Sequence, residues 1–180
     1  MHAVVVYESH WGNTEAVARA IADGIGPDAR ALTTDEATGP AMAGATLIVA
    51  GAPLMMFGLP GDRALASLTK AAESEETPPE LSHPSLRAWL ADLPPGEGLA
   101  AAFETRLHWS PGGATGTIER GLEQAGYRRV AKGRRFVVTG QHGPLGEGEL
   151  ERARAWGREL AYAAGISSAD EAADPERSTP

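Results

Sequence analysis

The order of hydrophobic and polar positions predicts an alternation of strands and helices along the chain. Five short, mostly apolar segments lie at residues 4–7, 29–33, 46–50, 99–103 and 135–139. Such segments are typical of parallel strands that are buried on both faces of a sheet.

Helical spacing lies between several of these strands. Apolar residues recur at intervals of three and four over residues 16–25, and Gly26 and Pro27 end that helix. The same spacing predicts helices over 82–93, 116–126 and 147–165. Strands that alternate with helices predict an α/β fold, a doubly wound five-stranded parallel sheet in three α/β/α layers.

The chain length and its polar segments predict a single domain. The 180 residues suffice for one hydrophobic core. Residues 59–81 are predicted to form a long connection, of which 72–81 are solvated, and residues 166–180 an acidic, disordered tail. The predicted domain is therefore 1–165.

Composition excludes several classes of function. The chain has no cysteine, which excludes disulfides, thiolate metal sites and a cysteine nucleophile. No apolar stretch is long enough to span a membrane, and the N-terminus has no signal-peptide pattern, so the expected location is the cytoplasm. A net charge of -8 argues against binding to nucleic acid or to an anionic membrane.

The loops after the first, third and fourth strands are the expected ligand site. Ligands of doubly wound sheets bind beyond the carboxyl ends of the strands, where the strand order reverses. Trp11, Phe57 and Trp109 fall one in each of these loops. Three large rings at such positions favour a flat ligand; the alternative is that they pack on neighbouring helices.

The first of these loops, with the sequence SHWGNT, has the chemistry of an anion site. Ser9, Asn13 and Thr14 offer side-chain donors, and Gly12 permits close approach of the backbone. The N–H groups at a helix N-terminus bind anions without a fixed positive charge. The alternative is an ordinary strand–turn–helix connection with Asn13 or Thr14 as the N-cap. The loop contains neither a dinucleotide GxGxxG motif nor a lysine-bearing P-loop.

These residues resemble the phosphate loop of flavodoxins. The pattern Ser9-x-x-Gly12-Asn13-Thr14 follows the first strand as it does in that family. Further similarity to the short flavodoxin-domain proteins of high-GC bacteria lies at 5–22, 51–58, 102–106 and 138–157. The resemblance implies a flavodoxin-like fold over most of the chain and FMN as the bound cofactor.

The resemblance also implies which residues hold FMN. The residues that would wrap the phosphate are Ser9, His10, Trp11, Gly12, Asn13 and Thr14. One side of the flavin ring would be covered by Ala52, Pro53, Leu54, Met55, Met56, Phe57 and Gly58. The other side would be covered by Glu104, Thr105, Arg106, Leu107 and Trp109.

Two departures from the family pattern affect the ring contacts. Leu54 and Met55 stand where a Thr-His pair is usual, which removes a hydroxyl and an imidazole, and Glu104 stands where Asp is usual. Arg106 either meets the pyrimidine edge of the ring or pairs with Glu104. Met55 and Met56 offer soft packing on a ring or pack in the core.

The function expected from this resemblance is electron transfer or small redox chemistry with FMN, together with a separate redox partner protein. The acidic cluster of Glu73, Glu75, Glu76 and Glu80 is either a solvated face or a docking surface for a basic partner. Two alternatives remain: a binding or regulatory module that has lost FMN, and a stand-alone NAD(P)H-dependent quinone reductase. The oligomeric state is left open.

Two other classes on similar sheets do not fit the sequence. A phosphoacceptor receiver domain needs an aspartate at the end of the third strand, where this chain has Val49-Ala50-Gly51. A low-molecular-weight tyrosine phosphatase needs a cysteine in the first loop, where this chain has none.

Overall fold

The computed structural model describes residues 2–74 and 76–165, and the predicted tail at 166–180 lies outside this part of the chain. The strands are β1 (His2–Tyr7), β2 (Ala29–Thr33), β3 (Ala45–Pro53), β4 (Leu99–Leu107), β5 (Arg128–Arg129) and β6 (Arg134–Val138). The helices are α1 (Asn13–Ile25), α2 (Gly39–Met42), α3 (Asp62–Ala72), α4 (Leu86–Ala91), α5 (Thr115–Gln124) and α6 (Glu149–Ala163).

All strand pairs of the sheet are parallel. The order is β2-β1-β3-β4, and both β5 and β6 pair with the free edge of β4. β5 lies opposite Leu99 and Ala100, whereas β6 lies opposite 103–107. The predicted fifth strand corresponds to β6, whereas the two-residue β5 on the same edge is not predicted, and the doubly wound parallel fold class is confirmed.

The sheet separates two hydrophobic clusters because successive side chains of a strand point to opposite faces. Val5 packs with α1 and α6, whose buried residues include Trp156. Val4 packs with α4 and α5, where Trp89 is buried. The close contact of α1 with α6 depends on glycine, since a Cβ on Gly157 would collide with the Ile21 carbonyl oxygen. Two layers of helices therefore enclose the sheet, as predicted.

The connection between β3 and β4 differs from the prediction. It contains α3, a helix in which Ala64 and Leu68 are buried, where the sequence analysis expects a connection without a helix. α4 begins later than predicted, after Ser85, whose hydroxyl accepts a hydrogen bond from Ala88 N at 3.1 Å. A serine N-cap satisfies one of the free amides of a first helical turn.

β3 and β4 are longer than predicted. Their pairing continues to Pro53 and Thr105, and β4 ends only at Leu107. Ala52, Pro53 and Glu104–Leu107 therefore belong to strands rather than to loops. This extension fixes the direction of each side chain by alternation, which decides much of the site.

In the two described stretches of the chain, no helix is both long enough and apolar enough to cross a membrane.

Candidate functional site

The carboxyl ends of β1, β3, β4 and β6 open into a cavity of about 470 Å³. This volume is within the range of roughly 300–1,000 Å³ typical of small-molecule sites. The cavity therefore lies where the strand-order argument predicts a ligand site.

Most of the predicted contact residues line this cavity. They are Ser9, His10, Trp11, Asn13, Thr14, Pro53, Leu54, Met55, Met56, Phe57, Thr105, Arg106, Leu107 and Trp109. Four predicted residues are not part of its lining, namely Gly12, Ala52, Gly58 and Glu104. Gly12 and Gly58 have no side chain to contribute, and Ala52 is buried in the sheet.

Four residues in the lining are not predicted by the sequence: Ser110, Pro111, Val138 and Gln141. Val138 is the last residue of β6, and Gln141 lies in the loop after it. The carboxyl end of β6 reaches the same edge of the sheet as those of β1, β3 and β4. Applying the strand-end argument to the fifth strand as well would have found them. Ser110 and Pro111 extend the third predicted loop by two residues.

The first loop leads into an uncapped helix. α1 begins at Asn13, and the residue before it is Gly12 with φ of 82°, a conformation that glycine adopts without strain. No side chain caps the first turn of α1, so neither Asn13 nor Thr14 is the N-cap. The first backbone N–H groups of a helix lack internal partners, and here they remain available to a ligand.

The polar side chains of this loop are tied to three other segments. Thr14 Oγ1 and Thr105 Oγ1 are 2.7 Å apart and buried, and Asn13 Nδ2 donates to His142 O at 3.0 Å. Trp11 Nε1 donates to Thr77 O at 3.2 Å while its ring stacks on His142. The Thr14 hydroxyl is therefore engaged with β4, and Ser9 Oγ is the loop hydroxyl that finds no partner among the described residues.

His10 is buried beneath the loop, with 5% of its surface exposed. Its Nδ1 donates to Glu80 O at 3.0 Å, and its Nε2 lies 3.3 Å from Glu8 Oε1. Burial opposes the charged imidazole, but the close contact with Glu8, the hydrogen bond to the Glu80 carbonyl and the charges of both carboxylates outweigh it and raise the pKa of His10. The sequence gives no signal for Glu8, because a glutamate after a strand is usually solvated.

The second loop forms a tight turn that presents apolar side chains. Met55 and Gly58 exchange backbone hydrogen bonds of 3.0 Å, and Met56 has φ of 52°, an uncommon conformation for a residue with a side chain. Met56 is 64% exposed and Phe57 is 72% exposed. The alternative that Met56 packs in the core is therefore wrong, and so is the alternative that Phe57 packs on a helix.

The third segment separates its predicted contact residues by strand alternation. Thr105 faces α1, whereas Glu104 and Arg106 face α5. Glu104 is fully buried; it accepts hydrogen bonds from Ala114 N and Thr115 N, and from Arg106 at 3.0 Å. The interpretation of Arg106 as the partner of Glu104 is confirmed. The prediction that Glu104 contacts a ring is wrong, because its carboxylate accepts hydrogen bonds from the N-terminal end of α5 and from Arg106.

Arg106 also fixes the loop after β4. Its Nη1 donates to Gly112 O at 3.0 Å, and Gly113 N donates to Phe57 O at 3.2 Å. The second and third loops are thereby joined to each other beside the cavity. Trp109, at 76% exposure, stands on the same rim as Phe57.

The charge of the lining is low. Of its residues, all in the described part of the chain, His10 and Arg106 are the ones that can be cationic, and none is a carboxylate. Arg106 is already paired with Glu104. An anion in this cavity would therefore be held chiefly by backbone N–H groups and neutral side chains.

Comparison with solved structures agrees with this architecture. An archaeal flavodoxin superposes with a TM-score of 0.61 at 20% identity, covering 92% of this chain and 99% of its own. The chain has the flavodoxin-like fold. Flavodoxin 1 from Bacillus cereus gives 0.61 at 16% identity, covering 90% of this chain and 98% of its own. A WrbA-like flavodoxin from Agrobacterium tumefaciens gives 0.55 at 19% identity, covering 91% and 97% respectively.

The flavodoxin-like fold thus spans almost the whole described chain. No protein-family model matches the sequence, and no curated protein sequence matches it. At these identities the comparisons establish the fold alone.

Proposed function

We propose that this chain binds FMN in the cavity at the carboxyl edge of the sheet and works in electron transfer or small redox chemistry. The observation that carries the proposal is the two-ended chemistry of the cavity. One end is the uncapped N-terminus of α1, and the other is a rim of exposed apolar side chains, including Phe57 and Trp109. A phosphate on a flat ring system needs both ends.

The residues present fit FMN at the phosphate end. Ser9 Oγ is buried without a partner among the described residues, and a bound phosphate oxygen would satisfy it. The first amides of α1 would supply further donors. Hydrogen bonds to a charged acceptor contribute roughly 1.5–3 kcal/mol each, so a lysine is not required.

The ring end fits a flavin through shape and apolar contact rather than through polar groups. Leu54, Met55 and Leu107 line the cavity, and Phe57 and Trp109 flank its mouth. The Thr-His pair expected from the flavodoxin pattern is absent from the sequence. Bound FMN would supply one- or two-electron redox chemistry, and the protein would fix its position and exclude water.

A direct titration tests this proposal. The purified protein should bind about one FMN per chain, shift the flavin absorption bands, and bind FMN more tightly than riboflavin, because only FMN reaches the α1 N-terminus. A protein that stays colourless on titration with FMN would contradict the proposal and favour the regulatory module. Equal affinity for both flavins would place the phosphate outside the SHWGNT loop.

We propose further that electrons arrive from a separate reductase in the cytoplasm. The competing function is a stand-alone NAD(P)H-dependent reductase, which one observation favours. None of the described residues in 59–81 lines the cavity, so this connection leaves room for a nicotinamide at the ring end. Stopped-flow bleaching of the flavin band distinguishes the two functions. Slow bleaching by NADH or NADPH alone is expected for the shuttle, and rapid, saturable bleaching would assign the reductase.

A further inference from the structure

The anion loop is fastened to the chain that leads into α4, a segment defined here as the strap (residues 77–86, which end at the first residue of α4). His10 and Glu80 exchange two hydrogen bonds, from His10 Nδ1 to Glu80 O at 3.0 Å and from Glu80 N to His10 O at 2.8 Å. Trp11 Nε1 donates to Thr77 O, and Leu86 N donates to Glu8 Oε2 at 2.7 Å. Four hydrogen bonds therefore connect residues 8–11 to the strap.

The contact between His10 and Glu8, at the centre of this connection, depends on one proton. Because Nδ1 of His10 donates to a carbonyl, a neutral imidazole would present the lone pair of Nε2 to Glu8 Oε1, 3.3 Å away. The side chains of His10 and Glu8 are 3% and 5% exposed, so water screens this repulsion poorly. The contact is attractive only when the Glu8–His10 pair holds one proton.

The surroundings of the pair favour that proton. The other titratable groups around the small cavity beneath the loop are Tyr7, Glu15, Glu80 and His83. Glu15 is paired with Arg19, and His83 with Asp35. The pKa of His10 is raised above 6.5 in the folded protein. The stabilisation that protonated His10 gives to the fold and to the closed loop is therefore complete below pH 6.5, and it is lost as the pH rises through the raised pKa.

We propose that Glu8 and His10 form a one-proton latch that holds the anion loop on the strap and releases it when the proton is lost. His10 is then a positioning residue, since it acts through the backbone of Ser9–Thr14 rather than on a ligand. The bearing of the latch on FMN rests on the function proposed above. The latch itself is a property of the protein without a ligand.

The matched variants follow from the hydrogen-bond directions. Glu8→Gln keeps an oxygen for Leu86 N and offers an amide N–H to Nε2 of neutral His10, so the closed loop no longer needs the proton. His83→Gln is the control, because it breaks an imidazole–carboxylate pair of 2.6 Å between His83 of the strap and Asp35, whose side chains are 36% and 50% exposed. The two variants differ in burial of the pair and in contact with the loop.

The primary measurement is hydrogen exchange of the ligand-free protein between pH 6 and pH 9, corrected for intrinsic rates. In the wild type and in His83→Gln, the protection of the amides of residues 8–14 and of the strap should fall as the pH rises. The fall should be about tenfold for each pH unit between the pKa of His10 in the open loop and its higher pKa in the closed loop. In Glu8→Gln the protection should stay constant. Constant protection in the wild type, or an equal fall in Glu8→Gln, would overturn the latch. If Glu8→Gln does not fold, the pH profile of exchange protection in the wild type and an NMR titration of the His10 ring still test whether the latch exists.

A second arm connects the latch to the ligand. FMN affinity of the wild type should decline between pH 7 and pH 9 more than riboflavin affinity, and this difference should vanish in Glu8→Gln. If exchange shows the latch but FMN affinity is independent of pH, His10 does not position the anion loop, and that part of the inference is wrong. If neither flavin binds at any pH, the proposed function is wrong, and the exchange data alone judge the latch.

Discussion

The two ends of the cavity are built differently. At the anion end, Thr14, Asn13 and Trp11 are each hydrogen-bonded to a different part of the chain. At the ring end, Phe57 and Trp109 lie mostly in solvent, and their loops are joined through Gly112 and Gly113. The anion end is therefore organised by the chain itself, whereas the ring end would gain its burial from the proposed flavin.

This difference assigns separate roles to the two ends. Preorganised donors avoid the entropic cost of ordering on binding, so they discriminate strongly between ligands with and without a phosphate. Exposed apolar rings gain from covering any flat surface and discriminate little. Three substitutions test the comparison, beginning with the largest expected effect.

Removing the buried carboxylate that holds Arg106 and the loop after β4 at the ring end should cause the largest loss of stability. Glu104→Ala leaves Arg106 buried without its carboxylate and frees the amides of Ala114 and Thr115. Loss of one partner of a buried ion pair costs about 3–5 kcal/mol, so the free energy of unfolding in urea should fall by this amount.

The control for this substitution is Glu123→Ala, which removes a half-exposed carboxylate 3.8 Å from Arg129. It should change the free energy of unfolding by about 0.5 kcal/mol or less. A loss below about 1 kcal/mol in Glu104→Ala would mean that desolvation of the carboxylate cancels its contacts.

Introducing a negative charge at the anion end should alter specificity more than stability. Asn13→Asp places a carboxylate in the first turn of α1, where the helix dipole tolerates it. Repulsion between unit charges at close range is about 1–4 kcal/mol, so FMN affinity should fall at least about fivefold. Riboflavin affinity should change less than about threefold, since riboflavin has no phosphate charge to repel.

Asn13→Ala is the uncharged control for the lost hydrogen bond to His142 O. It should weaken FMN binding less than Asn13→Asp does. Fluorescence titration with both flavins measures the two affinities. A parallel loss for FMN and riboflavin in Asn13→Asp would show that the loop does not face the phosphate.

Truncation at the ring end should have the smallest effect. Trp109→Ala removes a ring that is 76% exposed, so the free energy of unfolding should stay within about 0.5 kcal/mol of the wild type. Loss of an aromatic contact of about 0.5–1.5 kcal/mol should weaken FMN and riboflavin alike, by about two- to tenfold. Tyr162→Ala, which removes an 89% exposed ring on α6, should change neither affinity. An effect of Trp109→Ala confined to FMN would contradict the division of roles.

The sequence by itself determined the order of the main elements and the edge of the sheet that carries the site. Continuous apolar segments such as 46–50 are compatible only with burial, and helical spacing is a local property of the chain. The order of the elements then suffices to bring SHWGNT and the two aromatic loops to one edge, because the carboxyl ends of parallel strands meet there. Those inferences need information only from neighbouring residues.

Tertiary structure alone decided where the polar side chains point and which are buried. Glu104 became structural because β4 pairs with β3 beyond Phe103 and thereby turns the carboxylate toward α5. His10 became buried because Glu80, seventy residues away in the chain, lies against it. The free energy of a buried polar group depends on partners that are distant in sequence, and no local pattern records them.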